Sequence, residues 1–163
     1  GIGGLGQEEA IIKAINHLQP PSAVQCVINP LNSAGAIGFV SEDFNPSSVL
    51  SACQKKNIPI LAIRAVQAGA LTSSMDRLPH SSGFDQRDFE DFNKAESFRE
   101  LANEWNESPA SLAHRYALSI KGVSSVILGV KNRKELLECI ESEAKDVLSE
   151  SEIKEVENCI KEN

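Results

Sequence analysis

The hydrophobic positions of the chain fall into two patterns that alternate along its length. Short continuous apolar runs, rich in β-branched residues and bounded by small or turn-forming residues, are typical of parallel strands covered on both faces. Such runs occur at residues 23–28, 58–64 and 126–128. The glycine-rich stretch at residues 1–6 fits the tail of a further strand and the turn that follows it. The pattern therefore predicts four strands.

Between the strands, apolar residues recur every three or four positions, which predicts helices with one buried face. We expect one helix near residues 7–18 and another near residues 46–56. Further helices are expected in the second half of the chain. The helix starts carry capping signals. These signals are Asn45-Pro46, Asn93 with Glu96, Ser108-Pro109, Asn132 with Glu135, and Ser149 with Glu152.

Strands that alternate with helices in this way predict right-handed βαβ units and a parallel sheet. Two architectures fit that order of elements. One is a doubly wound open sheet, and the other is part of a (βα)8 barrel. The 163 residues are expected to form a single domain. That length favours the open sheet, because a whole barrel typically needs about 250 residues.

Residues 73–92 are predicted to form a long polar loop. The stretch contains Pro79, Gly83, five acidic residues and two arginines. A connection of this length is either disordered or functional, for example as a lid over a site. His80 lies within it and is expected to be solvated.

The overall composition narrows the classes of partner and location. A formal net charge of −7 argues against nucleic acid or an anionic membrane surface as the main partner. No apolar run approaches the roughly 20 residues that span a bilayer, and no signal peptide is visible. The four cysteines have no metal-ligand spacing, which indicates reduced thiols and a cytoplasmic protein. The chain opens on Gly1 within a motif, which suggests a processed chain or a fragment.

One turn has the features of a phosphate site. Gly129 connects the last predicted strand to a helix that begins after Asn132. A helix N-terminus presents free backbone N–H groups and the positive end of the helix dipole, which together suit a phosphate. Lys131, Arg133 and Lys134 cluster at the same turn, although the whole chain is acidic. The alternative interpretation is an ordinary strand-to-helix turn with a solvated basic rim.

Three other polar residues lie in or beside apolar segments. Gln25 interrupts a strand, so its amide is either bonded to a neighbouring strand's backbone or faces a ligand at the strand end. Arg64 ends the third predicted strand, where its charge can reach solvent or an anion. His114 is expected to be structural or exposed, since no cysteine or acid near it has triad or metal spacing.

Four segments of the chain, taken in order, resemble the C-terminal half of an aldo-keto reductase. They are Ala23-Val24-Gln25, the run 60–72, the helix 108–120 and the stretch 126–139. The most specific match covers residues 126–138. The resemblance implies an α/β fold in which the chain supplies the C-terminal four strands of a partial (βα)8 TIM barrel, with their helices. We therefore prefer the partial barrel to the open sheet, which the length of the chain alone favours.

The resemblance also implies a cofactor, NADP (NADPH), and the residues that hold it. Gln25 would hold the nicotinamide carboxamide, and the segment after the third strand would lie along the nicotinamide and pyrophosphate. The turn after the last strand would hold the adenine and the adenosine 2′-phosphate. The cofactor-binding residues expected on this basis are Gln25, Ile63, Arg64, Gly69, Leu71, Gly129, Lys131, Asn132, Glu135 and Glu138. The other substrate would be a small carbonyl compound.

The chain departs from the family pattern at several positions. Ile63 replaces the aromatic residue that stacks on the nicotinamide, and Gly3-Gly4 replaces a Ser-Asn pair that contacts the carboxamide. Glu135 stands where Arg or Gln is usual, and one alternative is that it serves only as the capping partner of Asn132. Cys139 stands where the family has a final Asn.

The catalytic tetrad of the family comes from its first four strands, and none of these strands is in this chain. Tyr116 is expected to point into a helix interface, so no catalytic residue is assigned. The leading hypothesis is the C-terminal, cofactor-binding portion of an NADP-linked aldo-keto reductase. Its open sheet edges would be covered by the missing N-terminal half or by a second copy. The alternatives are a non-catalytic relative for nucleotide sensing or partner binding, and a small open-sheet α/β binding module.

Overall fold

A computed structural model describes residues 1–41 and 43–161 of the chain. Within them, a parallel four-stranded sheet forms, and its strands lie side by side in chain order. The strands are β1 (Ile2–Gly3), β2 (Val24–Val27), β3 (Ile60–Ile63) and β4 (Val123–Val126). The parallel pairing confirms the predicted succession of βαβ units.

Helices connect these strands and cover one side of the sheet. They are α1 (Glu8–Ile15), α2 (Pro46–Lys56), α3 (Gln86–Lys94), α4 (Glu96–Glu104), α5 (Pro109–Ser119), α6 (Arg133–Glu143) and α7 (Glu150–Lys161). A short 3-10 turn, Gln67–Gly69, follows β3. Helix α2 packs on β2, α5 packs on β4, and α6 packs against α5.

Local capping rules place most helix starts correctly. In each confirmed case a side-chain oxygen accepts a hydrogen bond from a backbone N–H in the first turn. The confirmed caps are Asn45, Ser108, Asn132 and Ser149. The predicted cap at Asn93 is wrong, because this residue lies inside α3 and α4 begins after Ala95 without a side-chain cap. Helix α1 ends at Ile15, short of the predicted residue 18.

The last strand lies earlier than the apolar run at residues 126–128 predicts. Ser125 interrupts the apolar pattern of β4, but it pairs with Leu61 on the more exposed face of the sheet. A strand with one exposed face does not need a continuous apolar run. Ile127 still donates its N–H to the Ala62 carbonyl oxygen at 2.8 Å. The apolar run therefore begins the turn after β4.

The loop predicted at residues 73–92 is too long, because α3 begins at Gln86. Two of the acidic residues that suggest a loop, Asp88 and Asp91, are only 5% and 3% exposed. Their carboxylates accept hydrogen bonds from arginine, glutamine and serine side chains of other segments. Burial of these charges depends on tertiary partners, which a local sequence pattern does not contain.

The hydrophobic core lies between one face of the sheet and the helices. On that face Val24, Cys26, Ile60 and Ala62 are fully buried. We call the opposite face the inner face. One row of residues that pair across the four strands on this face is half-buried or exposed. The row consists of Gly3, Gln25, Leu61 and Ser125. The expectation that residues 23–28 form a strand covered on both faces is met only in part, because on the inner face Val27 is buried whereas Gln25 is exposed.

Two further features complete the fold. None of the described helices is long and apolar enough to cross a membrane. The four cysteines, which all lie among the described residues, form no disulfide. The sulfur atoms of Cys26 and Cys53 lie 3.8 Å apart where β2 packs on α2, so these two side chains help to join the helix to the sheet.

Candidate functional site

A cleft opens at the carboxyl ends of β3 and β4, the end of the sheet at which parallel α/β proteins bind ligands. It consists of two adjoining cavities of about 330 Å³ and 510 Å³, which is the size range of small-molecule sites. The first cavity lies between the strand ends, α5 and α6, and the second extends toward residues 72–77. Residues common to both linings include Val66, Ala68, Thr72, Gly129, Glu135 and Glu138. We call the two cavities together the carboxyl-end cleft.

The wall after β3 is a segment of strained backbone. Arg64, Gln67 and Ala68 have φ angles of 57°, 46° and 52°. Residues other than glycine rarely adopt this left-handed backbone conformation, so the surrounding structure must hold these three residues in it. Gly69, with φ of 98°, ends the segment at a position that glycine tolerates best.

A buried set of polar side chains holds this segment, and we call it the β3 network. Arg64 donates from Nε to Gln67 Oε1 at 2.8 Å and from Nη2 to Asp88 Oδ1 at 3.2 Å. The Asp91 carboxylate accepts from Gln67 Nε2 at 2.7 Å and from Ser33 Oγ at 2.6 Å. The network joins the end of β3 to α3 and to the loop after β2.

The β3 network changes the expected role of Arg64. Burial lowers the pKa of Arg64, and the carboxylates of Asp88 and Asp91 oppose that effect. Its guanidinium lines the cleft but is already bonded to protein groups, so a phosphate would compete with Asp88 for it. The sequence pattern placed these acids in a polar loop and did not indicate that they lie at the site. The available signal was the spacing of three between Asp85, Asp88 and Asp91, which are all buried.

The turn after β4 is closed by a capping network. Asn132 Oδ1 accepts from the Glu135 N–H at 3.1 Å. The Glu135 carboxylate accepts from the Lys131 N–H and from Asn132 Nδ2, both at 2.7 Å. Glu135 therefore acts as the capping partner of Asn132. Its carboxylate takes a place that an anion could take at this helix N-terminus, so it competes with a phosphate for the Lys131 N–H.

Positive charge gathers at one end of the cleft. Lys131 Nζ forms an ion pair with Asp76, a residue of the loop between β3 and α3. Both residues line the larger cavity, so the pair joins two of its walls. Arg133 and Lys134 are exposed at the start of α6. These side chains form a basic group although the chain as a whole is acidic.

The facing sides of α5 and α6 form the remaining wall. Ala110 lies on α5, one turn before His114, and Glu138 and Cys139 lie on α6. The hydroxyl of Ser108 donates to the Glu138 carboxylate. Burial raises the pKa of the Cys139 thiol, and the negative charges of nearby glutamates act in the same direction. The thiol therefore contributes a neutral surface to the wall.

His114 is buried in this wall, with 7% of its surface exposed. Its Nδ1 has no hydrogen-bond partner among the described residues. Burial lowers the pKa of His114, and the negative charge of Glu138 opposes that effect only in part. The imidazole is therefore neutral at pH 7.

The structure brings together some of the residues expected to hold a cofactor. Those that line the cleft are Arg64, Gly69, Gly129, Lys131, Glu135 and Glu138. Asn132 caps the helix beside it, and Gln25 and Ile63 lie on the inner face. Leu71 is fully buried in the core. Within residues 1–41 and 43–161, no group of His, Cys, Asp and Glu side chains is placed to hold a metal ion.

Helices outside an incomplete ring of parallel strands, with a ligand-sized cleft at the carboxyl ends, define a partial (βα)8 barrel. The model of the aldo/keto reductase family matches residues 7–161, and the chain belongs to that family. The chain is similar to a glycerol dehydrogenase from Gluconobacter oxydans, with a TM-score of 0.67 and 19% identity, over 99% of this chain and 48% of that one. It is also similar to a thermostable aldo-keto reductase solved with the inhibitor epalrestat, with a TM-score of 0.59 and 18% identity, over 98% and 47% of the two chains.

At these identities, the likeness to the two solved structures establishes the fold alone. The chain spans about half the length of each of them. Among curated proteins, no sequence matches the chain significantly. The fold is therefore shown by the likeness to the solved structures, and the family by the family model.

Proposed function

We propose that this chain is the C-terminal, cofactor-binding portion of an NADP-linked oxidoreductase that converts a small carbonyl compound to an alcohol. One observation carries the proposal. The carboxyl-end cleft gathers Gly129 and Glu138 on one side and Arg64 on the other around a cavity of about 330 Å³. Membership of the aldo-keto reductase family, whose members use NAD(P)H, supports the choice of cofactor.

The adenosine end of the cofactor fits the chemistry of the cleft. Apolar side chains and Glu138 line the space between α5 and α6, so a flat purine gains contacts with the walls and a carboxylate acceptor for its exocyclic amine. The ribose 2′-phosphate would lie near Lys131, with Arg133 and Lys134 beside it. A phosphate there would replace Asp76 as the partner of Lys131.

The nicotinamide end would extend toward the inner face of the sheet. The Gln25 side chain is exposed on that face and offers both a donor and an acceptor to a carboxamide. Ile63 is half-buried on the same face and offers apolar contact without ring stacking. When bound, reduced NADP supplies the hydride that converts the carbonyl to an alcohol. In this proposal Gln25 orients the ring that carries this hydride.

The proton donor would come from strands other than these four. Tyr116 is the only tyrosine of the chain. Its hydroxyl donates to Glu157 of α7 at 3.0 Å, on the helical side of the sheet. Burial raises the pKa of Tyr116, and the charge of Glu157 adds to that effect. Both features make this tyrosine a structural residue, so we assign no catalytic residue within the chain.

We further propose that the inner face and the edge of β4 are covered by the remaining βα units of a complete barrel. Leu61 and Gln25 on the inner face are not sealed from solvent, and apolar residues of α6 are exposed. The covering half would come from the same polypeptide or from a second copy. A monomeric 163-residue chain that unfolds cooperatively on its own would contradict this and favour a small open-sheet binding module.

Location and excluded partners form part of the same proposal. A cytoplasmic protein fits the lack of disulfides among the four cysteines that the structure describes, because a reducing compartment keeps thiols from forming them. The net charge of −7 disfavours nucleic acid and anionic membranes as partners. Cell fractionation tests the location, since recovery of the full-length protein with membranes would contradict it.

Fluorescence titration of the full-length protein with NADPH tests the cofactor. We expect saturable binding. Lys131→Ala should weaken NADPH binding by about tenfold through loss of a charge-assisted contact, and it should leave NADH binding nearly unchanged. Lys121→Ala, at an exposed lysine in the turn before β4, is the matched control and should not change either affinity.

The outcomes of this titration separate the alternatives. Absence of NADPH binding by the unmodified full-length protein would overturn the proposed function. Binding without any aldehyde-dependent oxidation of NADPH would favour a nucleotide-sensing relative. The replacement of a stacking aromatic by Ile63 is the observation that keeps this second candidate open.

A further inference from the structure

Two buried cysteines from different segments meet between the sheet and the helices. Cys26 lies on β2, and Cys53 lies 27 residues later in the last turn of α2. Neither side chain is exposed, and their sulfur atoms are 3.8 Å apart, within reach of a hydrogen bond between the two thiols. Neither residue lines the carboxyl-end cleft. The pair is therefore a candidate site separate from the cleft.

The separation of the two sulfurs is close to what a disulfide needs. Bonded sulfur atoms lie about 2.05 Å apart, so these two must approach each other by about 1.8 Å in total. Rotation of each side chain about its Cα–Cβ bond moves its sulfur by a distance of this order. A bond here would join segments 27 residues apart in the chain, and a cross-link that closes a long loop restricts the unfolded state.

The two thiols differ in reactivity. The hydrogen bond from Cys26 lowers the pKa of the Cys53 thiol, because it stabilises the thiolate, whereas burial acts in the opposite direction. The same hydrogen bond, together with burial, raises the pKa of the Cys26 thiol. A thiolate attacks an oxidant and a thiol does not, so Cys53 is the first of the pair to react.

We propose that Cys26 and Cys53 form a redox modification site, at which hydrogen peroxide links the two sulfurs as a reversible disulfide in the folded protein. The product would fix α2 to β2. This proposal does not depend on the cofactor of the carboxyl-end cleft. Hydrogen peroxide is small and uncharged, so it reaches the buried pair during local opening near the end of α2.

The reaction has two steps. The Cys53 thiolate attacks one peroxide oxygen, the O–O bond breaks, and hydroxide leaves as the sulfur becomes a sulfenic acid. The Cys26 sulfur then attacks the Cys53 sulfur, the S–O bond breaks, and a second hydroxide leaves. The protons of the two thiols convert both hydroxides to water. Two electrons from the thiols thus reduce one peroxide to two waters.

Peptide mapping of the full-length protein tests the site. The folded protein is treated with hydrogen peroxide, the peroxide is removed, and the remaining thiols are alkylated in urea. Trypsin leaves both cysteines on residues 14–55, because no lysine or arginine lies between Lys13 and Lys55. We expect this peptide to lose two hydrogen atoms and to escape alkylation. A second digest, which cuts after an acidic residue between the cysteines, should give two peptides joined by a bond that dithiothreitol breaks.

Thermal unfolding shows whether the bond fits the folded structure. Oxidation should raise the unfolding temperature by about 5 °C, and dithiothreitol should return it to its starting value. Cys26→Ala and Cys53→Ala should show neither the link nor the rise. Each variant is compared with itself before and after oxidation, so its starting stability does not affect the test. Cys159→Ser removes a thiol from α7 and should behave like the protein without substitutions.

Three results would overturn the proposal. Alkylation of both cysteines after oxidation, or addition of oxygen to either sulfur without a link, would make the pair part of the core only. A link that forms only when peroxide is added in urea would belong to the unfolded chain. A link that lowers the unfolding temperature would show that the folded structure does not accommodate it. The mapping uses the protein without substitutions, so it decides the matter even if the alanine variants fail to fold.

Discussion

The two strand-end walls of the carboxyl-end cleft are built in opposite ways. After β3, the polar side chains of the β3 network satisfy one another away from water, and Gln67 is fully buried. After β4, the apolar side chains of α6 lie at the surface. Leu136, Leu137 and Ile140 are 46%, 46% and 55% exposed. Contiguous apolar exposure of this kind marks a surface that meets another protein element.

The difference separates what the chain completes by itself from what it leaves to its surroundings. The β3 wall is preorganised, because its strained backbone is held by buried bonds from α3 and from the loop after β2. The β4 wall supplies a ligand-facing side and an apolar helix side that the described residues do not cover. Mutations in the β3 wall should therefore change stability by breaking contacts within this chain. Mutations on the exposed face of α6 should change stability only where other protein elements cover that face.

The largest expected effect is at Asp91 of the β3 network. Asp91→Ala would remove the carboxylate to which Ser33 Oγ and Gln67 Nε2 donate. The loss of this acceptor by two buried donors should lower the free energy of unfolding by about 4 kcal/mol. Urea unfolding of the full-length protein measures the loss. Glu90→Ala removes an exposed acid from the same helix and should cost less than about 0.5 kcal/mol. Equal effects of the two variants would show that the network does not hold the wall.

A methyl group at Gly35 should disturb the same network from the opposite side. A Cβ atom there would collide with Asp88 Oδ1, Gln67 Nε2 and Arg64 Nη2, and the φ angle of 68° disfavours any side chain. We expect Gly35→Ala to destabilise the protein by about 3 kcal/mol in urea unfolding. Gly38→Ala is the matched control, because its Cβ would meet nothing within 4 Å. Similar stability of both variants would contradict the close packing.

The exposed face of α6 should behave as a buried face in the complete protein. Ile140→Ser should destabilise the full-length protein by about 2 kcal/mol if added barrel elements cover that face. Glu141→Ser changes the next residue of the same helix, which is exposed and polar, and should have almost no effect on urea unfolding. If Ile140→Ser is equally harmless, the face is free and the comparison between the walls loses its basis.

The smallest expected effect is on the attachment of α6 to α5, and it depends on pH. Burial tends to raise the pKa of Glu107, but hydrogen bonds from Ser111, Lys145 and Arg115 outweigh it, so the pKa lies below its ordinary value of 4.5. A lowered folded-state pKa stabilises the fold above about pH 4.5, and this contribution is lost as the pH falls through the folded-state pKa. Glu107→Gln should therefore cost about 1 kcal/mol at pH 7.

Urea unfolding of the full-length protein at two pH values checks this prediction. The difference between the unmodified protein and Glu107→Gln should shrink as the pH falls below 4.5 and through the lower pKa of the folded state, because the carboxyl then becomes protonated. A difference that is the same at both pH values would show that the charge of Glu107 does not act. Glu143→Gln, at an exposed glutamate of α6, is the control.

The features that sequence reasoning predicted correctly are those fixed by neighbouring residues. Asn45, Ser108 and Asn132 cap helices through bonds within their own first turns, so their spacing alone is sufficient. The parallel order of strands follows from the alternation of apolar periods. The turn at Gly129 was found because glycine, a capping pair and basic residues occur together.

The features that it missed depend on distant partners. Ser125 of β4 is tolerated because the inner face of the sheet is open at this position, and the acids of α3 are buried because arginine and glutamine reach them from the end of β3. His114 was expected to be structural or exposed, and it is buried, with 7% of its surface exposed. Its burial in the cleft wall follows from the packing of α5 against α6, which no spacing along the chain reveals.

Hydrogen exchange of the full-length protein with and without NADPH tests the central claim most directly, because it locates the site as well as detecting binding. The account predicts that NADPH slows exchange at residues 64–72 after β3 and at residues 129–139 after β4, the two strand-end walls of the carboxyl-end cleft. Slower exchange confined to other segments, or no change at saturating NADPH, would contradict it.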